Sequence, residues 1–280
     1  MTLFEPISGR YFTVSVAGTA YRIYVEEAGQ GIPLLCLHTA GADSRQFRYL
    51  LNDAEVTSRF RVICFDMPLH GRSDPPDKWW LTSYELTTDH YLAVIRAVWK
   101  ALDLERPVVM GCSMGGAVVL RVASDFQDEL RGIIGLESAA YAPGRYNEFL
   151  HHPAVHGGEL VATYTFGLNA PTSPERDRRA NWWYYSQSGP GVYRGDVMFY
   201  SFDFDAREQI KTIDTSKCKV SLLTGIYDYS CTPEMSQQVA DAIPGCRYTE
   251  MQNIGHFPMI ENYQLFRTYL LPELDVMAAD

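Results

Sequence analysis

Polar and apolar positions alternate at the start of this chain and then stop alternating. Tyr11, Thr13 and Ser15 oppose Phe12, Val14 and Val16 until Gly18 ends the run; residues 21–25 resume it before Gly29 and Gly31. A period of two predicts an antiparallel pair with one face on the core. Short unbroken apolar runs follow at 33–37, 61–65, 107–110, 132–136 and 220–223, and a last strand-like segment lies at 246–251. Unbroken runs suit strands of a parallel sheet covered on both faces. Between them the period lengthens. Residues 83–102 place Leu86, Leu92, Ile95, Val98 and Trp99 at helical spacing, and shorter helices are predicted at 115–122 and 233–243. Strand–helix alternation of this kind predicts an α/β protein with a mostly parallel, doubly wound sheet and right-handed crossovers.

One stretch breaks the rhythm. Residues 141–216 hold no buried strand run and are crowded with Tyr, Trp, Phe, Pro and His. Ordinary connections in such folds take ~2–6 residues, so this segment must be a folded insert of short helices. One is predicted to open at Thr172-Ser-Pro-Glu175, where a capping residue precedes a proline. The chain then divides into a core of 1–140 and 217–280, with a helical cap at 141–216 inserted after the sixth strand.

Composition narrows the function. With 280 residues, 46% hydrophobic and 21% charged, the chain is an ordinary globular protein and not a collagen, a coiled coil or a disordered segment. Its 34 acidic against 24 basic side chains give −10, which repels phosphate backbones and makes nucleic acid and anionic membranes poor partners. No apolar stretch reaches the ~18 residues of a membrane span, and MTLFEPISGRY lacks the form of a signal peptide. The cysteines Cys36, Cys64, Cys112, Cys218, Cys231 and Cys246 form no C-x-x-C pair. Reduced, mostly buried thiols in a cytoplasmic protein are expected. No phosphate-cradling glycine motif appears, and no cofactor or metal is expected.

The sharpest chemical signal is Gly111-Cys112-Ser113-Met114-Gly115, with an apolar strand leading in and Ala-Val-Val-Leu120 leading out. A serine on a sharp strand-to-helix turn projects its hydroxyl above the sheet, and glycines on either side let the turn close. A hydroxyl is a weak nucleophile and needs a base held by an acid. Of seven histidines, His256 in Asn253-Ile-Gly-His-Phe-Pro258 stands beyond the last strand and is the expected base. His38 and His70 follow strands in glycine-containing turns, His90 lies within a helix, and His151, His152 and His156 fall in the insert without a metal-site pattern. Asp228, beyond the strand at 220–223, is the expected acid, with Glu137 as runner-up; the order Ser113, Asp228, His256 is the one such folds use. An oxyanion hole needs two backbone N–H groups, expected from Met114 and, in Cys36-Leu-His38-Thr-Ala-Gly41, from Ala40.

These motifs resemble the α/β-hydrolase superfamily in its capped branch of esterases, lactonases and carbon–carbon bond hydrolases. Phe65-Asp-Met-Pro68 with Gly71-Arg-Ser73-Asp74 is similar to the family's loop after the fourth strand. The chain departs from the family at His38-Thr39, where His-Gly is usual, and at Pro68-Leu69-His70-Gly71, where Pro-Gly-His-Gly is usual. Ser113 argues against dehalogenases and epoxide hydrolases, which carry Asp there, and Cys112 and Phe257 against the carbon–carbon hydrolases. A haloperoxidase-like activity generally goes without a large cap. The resemblance implies hydrolysis of a small or medium ester or lactone with an apolar or aromatic part. A carbon–carbon hydrolase of a vinylogous diketone, or a small-molecule receptor that keeps the triad, are the alternatives. Some of the cap aromatics Trp182-Trp-Tyr-Tyr185, Tyr193, Phe199, Tyr200 and Phe202 are expected to face the cavity above Ser113, and Trp182, Trp183 and Tyr184, with Phe257, are expected to bind substrate. If the cap does not select the substrate, the insert is better read as a partner-binding or homo-oligomer surface.

Overall fold

The computed structural model describes residues 4–148 and 157–279. Eight strands form one sheet: β1 (Ser8–Val16), β2 (Thr19–Ala28), β3 (Ile32–Leu37), β4 (Phe60–Phe65), β5 (Val108–Cys112), β6 (Gly132–Leu136), β7 (Lys219–Gly225) and β8 (Arg247–Met251). Their spatial order is β1-β2-β4-β3-β5-β6-β7-β8. The β1–β2 hairpin is antiparallel, as is β2 on β4, and every later pairing is parallel. Ala17 (φ 48°) and Gly18 (φ 82°) make the two-residue turn of the hairpin, the left-handed pair that matches strand twist.

Each apolar run splits by parity into two cores. Leu35, Ile63, Val109, Ile133 and Val220 pack on one face with Val94, Val98 and Val118 of the helices Thr88–Ala101 and Met114–Phe126. Leu34, Val62, Val108, Ile134 and Leu223 pack on the other with Phe266, Leu270 and Leu274 of the helix Tyr263–Ala278. Successive side chains on a strand point to opposite faces, so a strand buried on both sides must be apolar throughout. At ~1.5–3 kcal/mol for each large side chain fully removed from water, this double core dominates the stability.

The helix expected over 83–102 begins later, at Thr88, where the Thr87 hydroxyl accepts from His90 N and Asp203 accepts from Thr88 N at 2.6 Å. The helix expected from Thr172 begins at Glu175. Its N-cap is Pro174, and no side chain caps it, so the capping expectation there is corrected. Between β6 and β7 lie the helices Gly157–Phe166, Glu175–Ser186 and Val192–Met198, then a π-turn at Phe199–Asp203. His151, His152 and His156 lie outside the described residues. All six cysteines are free and five are buried. Among the described residues no helix is long and apolar enough to cross a membrane, and no group of three or more His, Cys, Asp or Glu could hold a metal ion.

Candidate active site

Ser113 sits between β5 and the helix Met114–Phe126 with φ 57° and ψ −110°. A residue with a Cβ is strained there and persists only where its surroundings fix it. The surroundings are explicit. Ser113 N donates to Leu136 O at 3.0 Å and Ala117 N donates to Ser113 O at 2.7 Å. A Cβ on Gly111 would lie 2.4 Å from the Gly115 backbone, and one on Gly115 would lie 2.5 Å from Leu37 O. Only glycine permits this closeness. The helix N-terminus behind Ser113 turns unpaired N–H groups and partial positive charge toward its hydroxyl, Met114 N first among them.

Two loops bring in the acid and the base. Asp228 follows β7, and its Oδ1 accepts from Ser230 N at 2.7 Å. His256 follows β8, and its N donates to Leu168 O at 3.0 Å. His256 Nδ1 lies 2.6 Å from Asp228 Oδ2, and both residues are buried. A proton held on Nδ1 by the carboxylate leaves Nε2 as the basic nitrogen. Ser113, His256 and Ala40 line one cavity of ≈ 760 Å³. In this structure the Ser113 hydroxyl is 2.9 Å from the Tyr200 hydroxyl.

Glu137, the runner-up acid, ends β6 with φ 52° and accepts from Gly225 N at 3.0 Å. Burial first, and the nearby Asp228 charge second, push its carboxyl well above the usual range. Glu137 does not reach His256 through any bond found among the described residues.

The loop after β3 is fixed from the insert. Asp196, on the helix Val192–Met198 and wholly buried, accepts from Gly41 N at 2.7 Å and from Tyr84 OH at 2.9 Å. It also lies 2.8 Å from His70 Nε2. His70 Nδ1 faces Pro68 O at 2.9 Å, so both ring nitrogens meet acceptors and the ring is held protonated. Burial opposes that charge, but Asp196 overcomes it and raises the His70 pKa. His38, with its ring centroid 4.9 Å from that of His70, accepts from Met67 N. Burial and the His70 charge lower it from 6.5 to about 4. Thr39 N and Oγ1 both donate to Gln46.

Of the aromatics expected at the cavity, Trp182, Trp183, Tyr184 and Phe257 do not line it. Trp182 and Tyr184 are half-buried against the core, Trp183 is 56% exposed, and Phe257 is fully buried beneath His256 and Tyr185. A helix turns ~100° per residue, so four successive aromatics cannot share a face. The buried pair on this helix is Asn181 and Tyr185, one turn apart, and Tyr185 reaches the cavity. Tyr185, Tyr193 and Tyr200, members of the cap aromatic run of which some were expected at the cavity, do line it, and Arg145 adds lining that the sequence did not point to. The spacing of 181 and 185 is a usable signal for Tyr185; Arg145 lies in an irregular segment with no periodicity.

Comparison with known proteins gives a consistent picture. A family profile described as "alpha/beta hydrolase fold" matches residues 32–263. A proline iminopeptidase of Lactobacillus delbrueckii subsp. lactis is 23% identical over 275 residues, spanning 88% of this chain and 91% of the peptidase. A thermophilic esterase from Thermogutta terrifontis, solved with malate bound, superposes with a TM-score of 0.84 at 18% identity, covering 96% of this chain and 100% of the esterase. The enol-lactonase from Burkholderia xenovorans LB400 gives 0.80 at 19% identity, covering 94% of this chain and 99% of the lactonase.

Proposed function

The chain belongs to the alpha/beta hydrolase fold family and is a hydrolase, and from that premise we propose that it is a serine hydrolase cleaving a small ester or lactone. The observation that carries this reading is the strained Ser113 turn opening on the same cavity as the His256–Asp228 pair. The relatives carry names of several activities, and similarity at this level assigns none of them. The site itself favours acyl transfer: it presents a hydroxyl, a base oriented by an acid, and amide donors at a helix N-terminus, with no further group required.

In the proposed cycle the Ser113 hydroxyl turns from Tyr200 to His256 as substrate enters. His256 Nε2 takes the proton while Oγ attacks the carbonyl carbon, and Asp228 stabilises the imidazolium. The Met114 and Ala40 amides receive the negative oxygen. The proton passes to the leaving alkoxide, and water then attacks the acyl-enzyme with His256 again as base. Residues 141–216 act as a cap that walls the cavity with Tyr185, Tyr193 and Tyr200.

A fluorophosphonate ester should label Ser113 stoichiometrically, and Ser113→Ala should abolish both labelling and hydrolysis of a short-chain ester panel. Residual turnover within tenfold of wild type in that variant would sink the nucleophile assignment. Tight binding of esters by wild type without turnover would favour the receptor reading.

A further inference from the structure

On the wall of the proposed catalytic cavity stands a cation that, among the described residues, no carboxylate pairs. Arg145 is the only lysine or arginine among the described residues that line it. Its Nη1 donates to Ser230 Oγ, and its Nη2 donates to Ser230 O and, at 3.4 Å, to Cys231 Sγ. Its guanidinium carbon stands 5.0 Å from the centre of the Tyr200 ring. That ring's hydroxyl is the one bonded to Ser113. Arg145 therefore lies about one tyrosine away from the attacking oxygen.

Elsewhere among the described residues several partly buried arginines find carboxylates. Arg45 pairs with Asp43, Arg72 with Glu26, and Arg267 with Asp53. Among the described residues Arg145 forms no ion pair. Asp228 is committed to His256 and to Ser230 N, and Glu148, on the same cavity wall, makes no salt bridge to it. A guanidinium that stays charged at every working pH is costly to hold beneath protein without a counter-charge. Its Nε–H and one Nη1–H have no partner among the described residues. A guanidinium with donors to spare and no counter-charge suits a carboxylate through a charge-assisted hydrogen bond.

We propose that Arg145 anchors a carboxylate carried by the substrate, so that the enzyme prefers half-esters of short dicarboxylic acids, or lactones bearing a carboxylate, to neutral esters. This rests on the serine-hydrolase reading of the same cavity and adds a substrate class to it. The carboxylate would sit at the Arg145 guanidinium, with the ester carbonyl reaching back to Ser113. The nearest competing role for Arg145 is to hold the Ser230 turn that supports Asp228.

The test compares monomethyl adipate with methyl hexanoate, two methyl esters with the same number of acid carbons that differ by one carboxylate. Hydrolysis of each is followed by acid release for wild type, Arg145→Met and Arg145→Lys. Wild type should favour the half-ester. Arg145→Met should lower kcat/KM for it by roughly 10- to 100-fold, the range of a charge-assisted pair, mostly through KM. Methyl hexanoate should change less than about threefold, and Arg145→Lys should restore part of the loss. Equal loss on both esters would assign Arg145 to the Asp228 turn and overturn the proposal, and so would unchanged ratios in both variants. Calorimetric titration of Ser113→Ala with each ester needs no turnover. Half-ester binding that vanishes when Arg145→Met is added would support the anchor even if wild type hydrolysed neither compound, an outcome that would instead remove the hydrolase reading. Hydrolysis of both esters with no carboxylate preference would leave the hydrolase reading standing and remove the anchor.

Discussion

At the ends of β6 and β7 two carboxyl groups approach each other, and only one of them holds the imidazole. Burial and the neighbouring Asp228 push the Glu137 carboxyl well above its usual range. Asp228 accepts from the His256 ring, with Ser230 N as a further donor. Exchange of an acid for its amide should therefore matter little at one position and greatly at the other. Asp228→Asn should lower kcat by about 10³- to 10⁴-fold, as loss of the triad acid does elsewhere. Glu137→Gln should stay within about tenfold of wild type in steady-state assays. If the order of the two is reversed, Glu137 is the acid. The sequence carries this distinction weakly: both residues follow strands, and only the turn around Asp228 marks it. Ser113 and His256 were legible because each stands in a short motif whose flanks are regular elements. Arg145 was not, and neither was the choice of Tyr185, Tyr193 and Tyr200 from among the cap aromatics, because nothing local fixes which way such side chains turn.

Among elements, the turn from β5 into its helix is a tight joint. Here the backbones of Gly111, Gly115 and Leu37 approach within distances no Cβ tolerates. Leu37 ends β3 and leads into the loop of His38 to Gly41. A methyl group on Gly115 would thus press on the strand that carries the other proposed oxyanion donor. Gly115→Ala should cost roughly 1–3 kcal/mol or more of stability, read as a fall in the urea midpoint. It should also lower kcat beyond any loss of folded protein. A variant with the wild-type midpoint and activity would show that this joint has slack. The five strands β3 to β7 were legible from their apolar runs, because double-sided burial leaves no choice of residue, while β1 and β2 were legible from alternation and β8 only as a strand-like segment. The Thr88–Ala101 helix shows the limit of such patterns: apolar spacing continues upstream of Thr88, yet Asp203 from a distant segment takes the Thr88 amide and fixes the start.

Over the whole molecule, two neighbouring imidazoles titrate in opposite senses. His70 has a raised pKa, so the stability it contributes is complete below about 6.5 and is lost as pH climbs through its folded value. His38 has a pKa lowered to about 4, so its contribution is complete above 6.5 and is lost as pH falls toward 4. The gap for His38 corresponds to roughly 3 kcal/mol. Thermal melts from pH 4 to 9 should peak near neutrality. His70→Gln should flatten the alkaline limb and His38→Gln the acid limb, each at some cost in the maximum Tm. Identical pH profiles in all three proteins would show that neither ring governs stability. This pairing lay outside the sequence's reach, since Asp196, which charges His70, is 126 residues away in the chain.

That same aspartate bears on how such enzymes diversify. It takes the Gly41 amide across 155 positions of sequence, while Leu168 and Ala170 of the insert grip His256 N and, through Glu261, the Gly255 amide. The insert is therefore not an interchangeable module set upon a finished engine. Transplanting a foreign insert between β6 and β7 would discard the clamps on both proposed reactive loops along with the cavity wall. Such a chimera should lose activity even on methyl acetate, which needs no wall. Restoring an aspartate at the place of Asp196, and a backbone pairing at the place of Leu168 and Ala170, should recover that activity before any taste for larger substrates returns. In this lineage the freedom to change diet is bounded by the need to keep those few clamps.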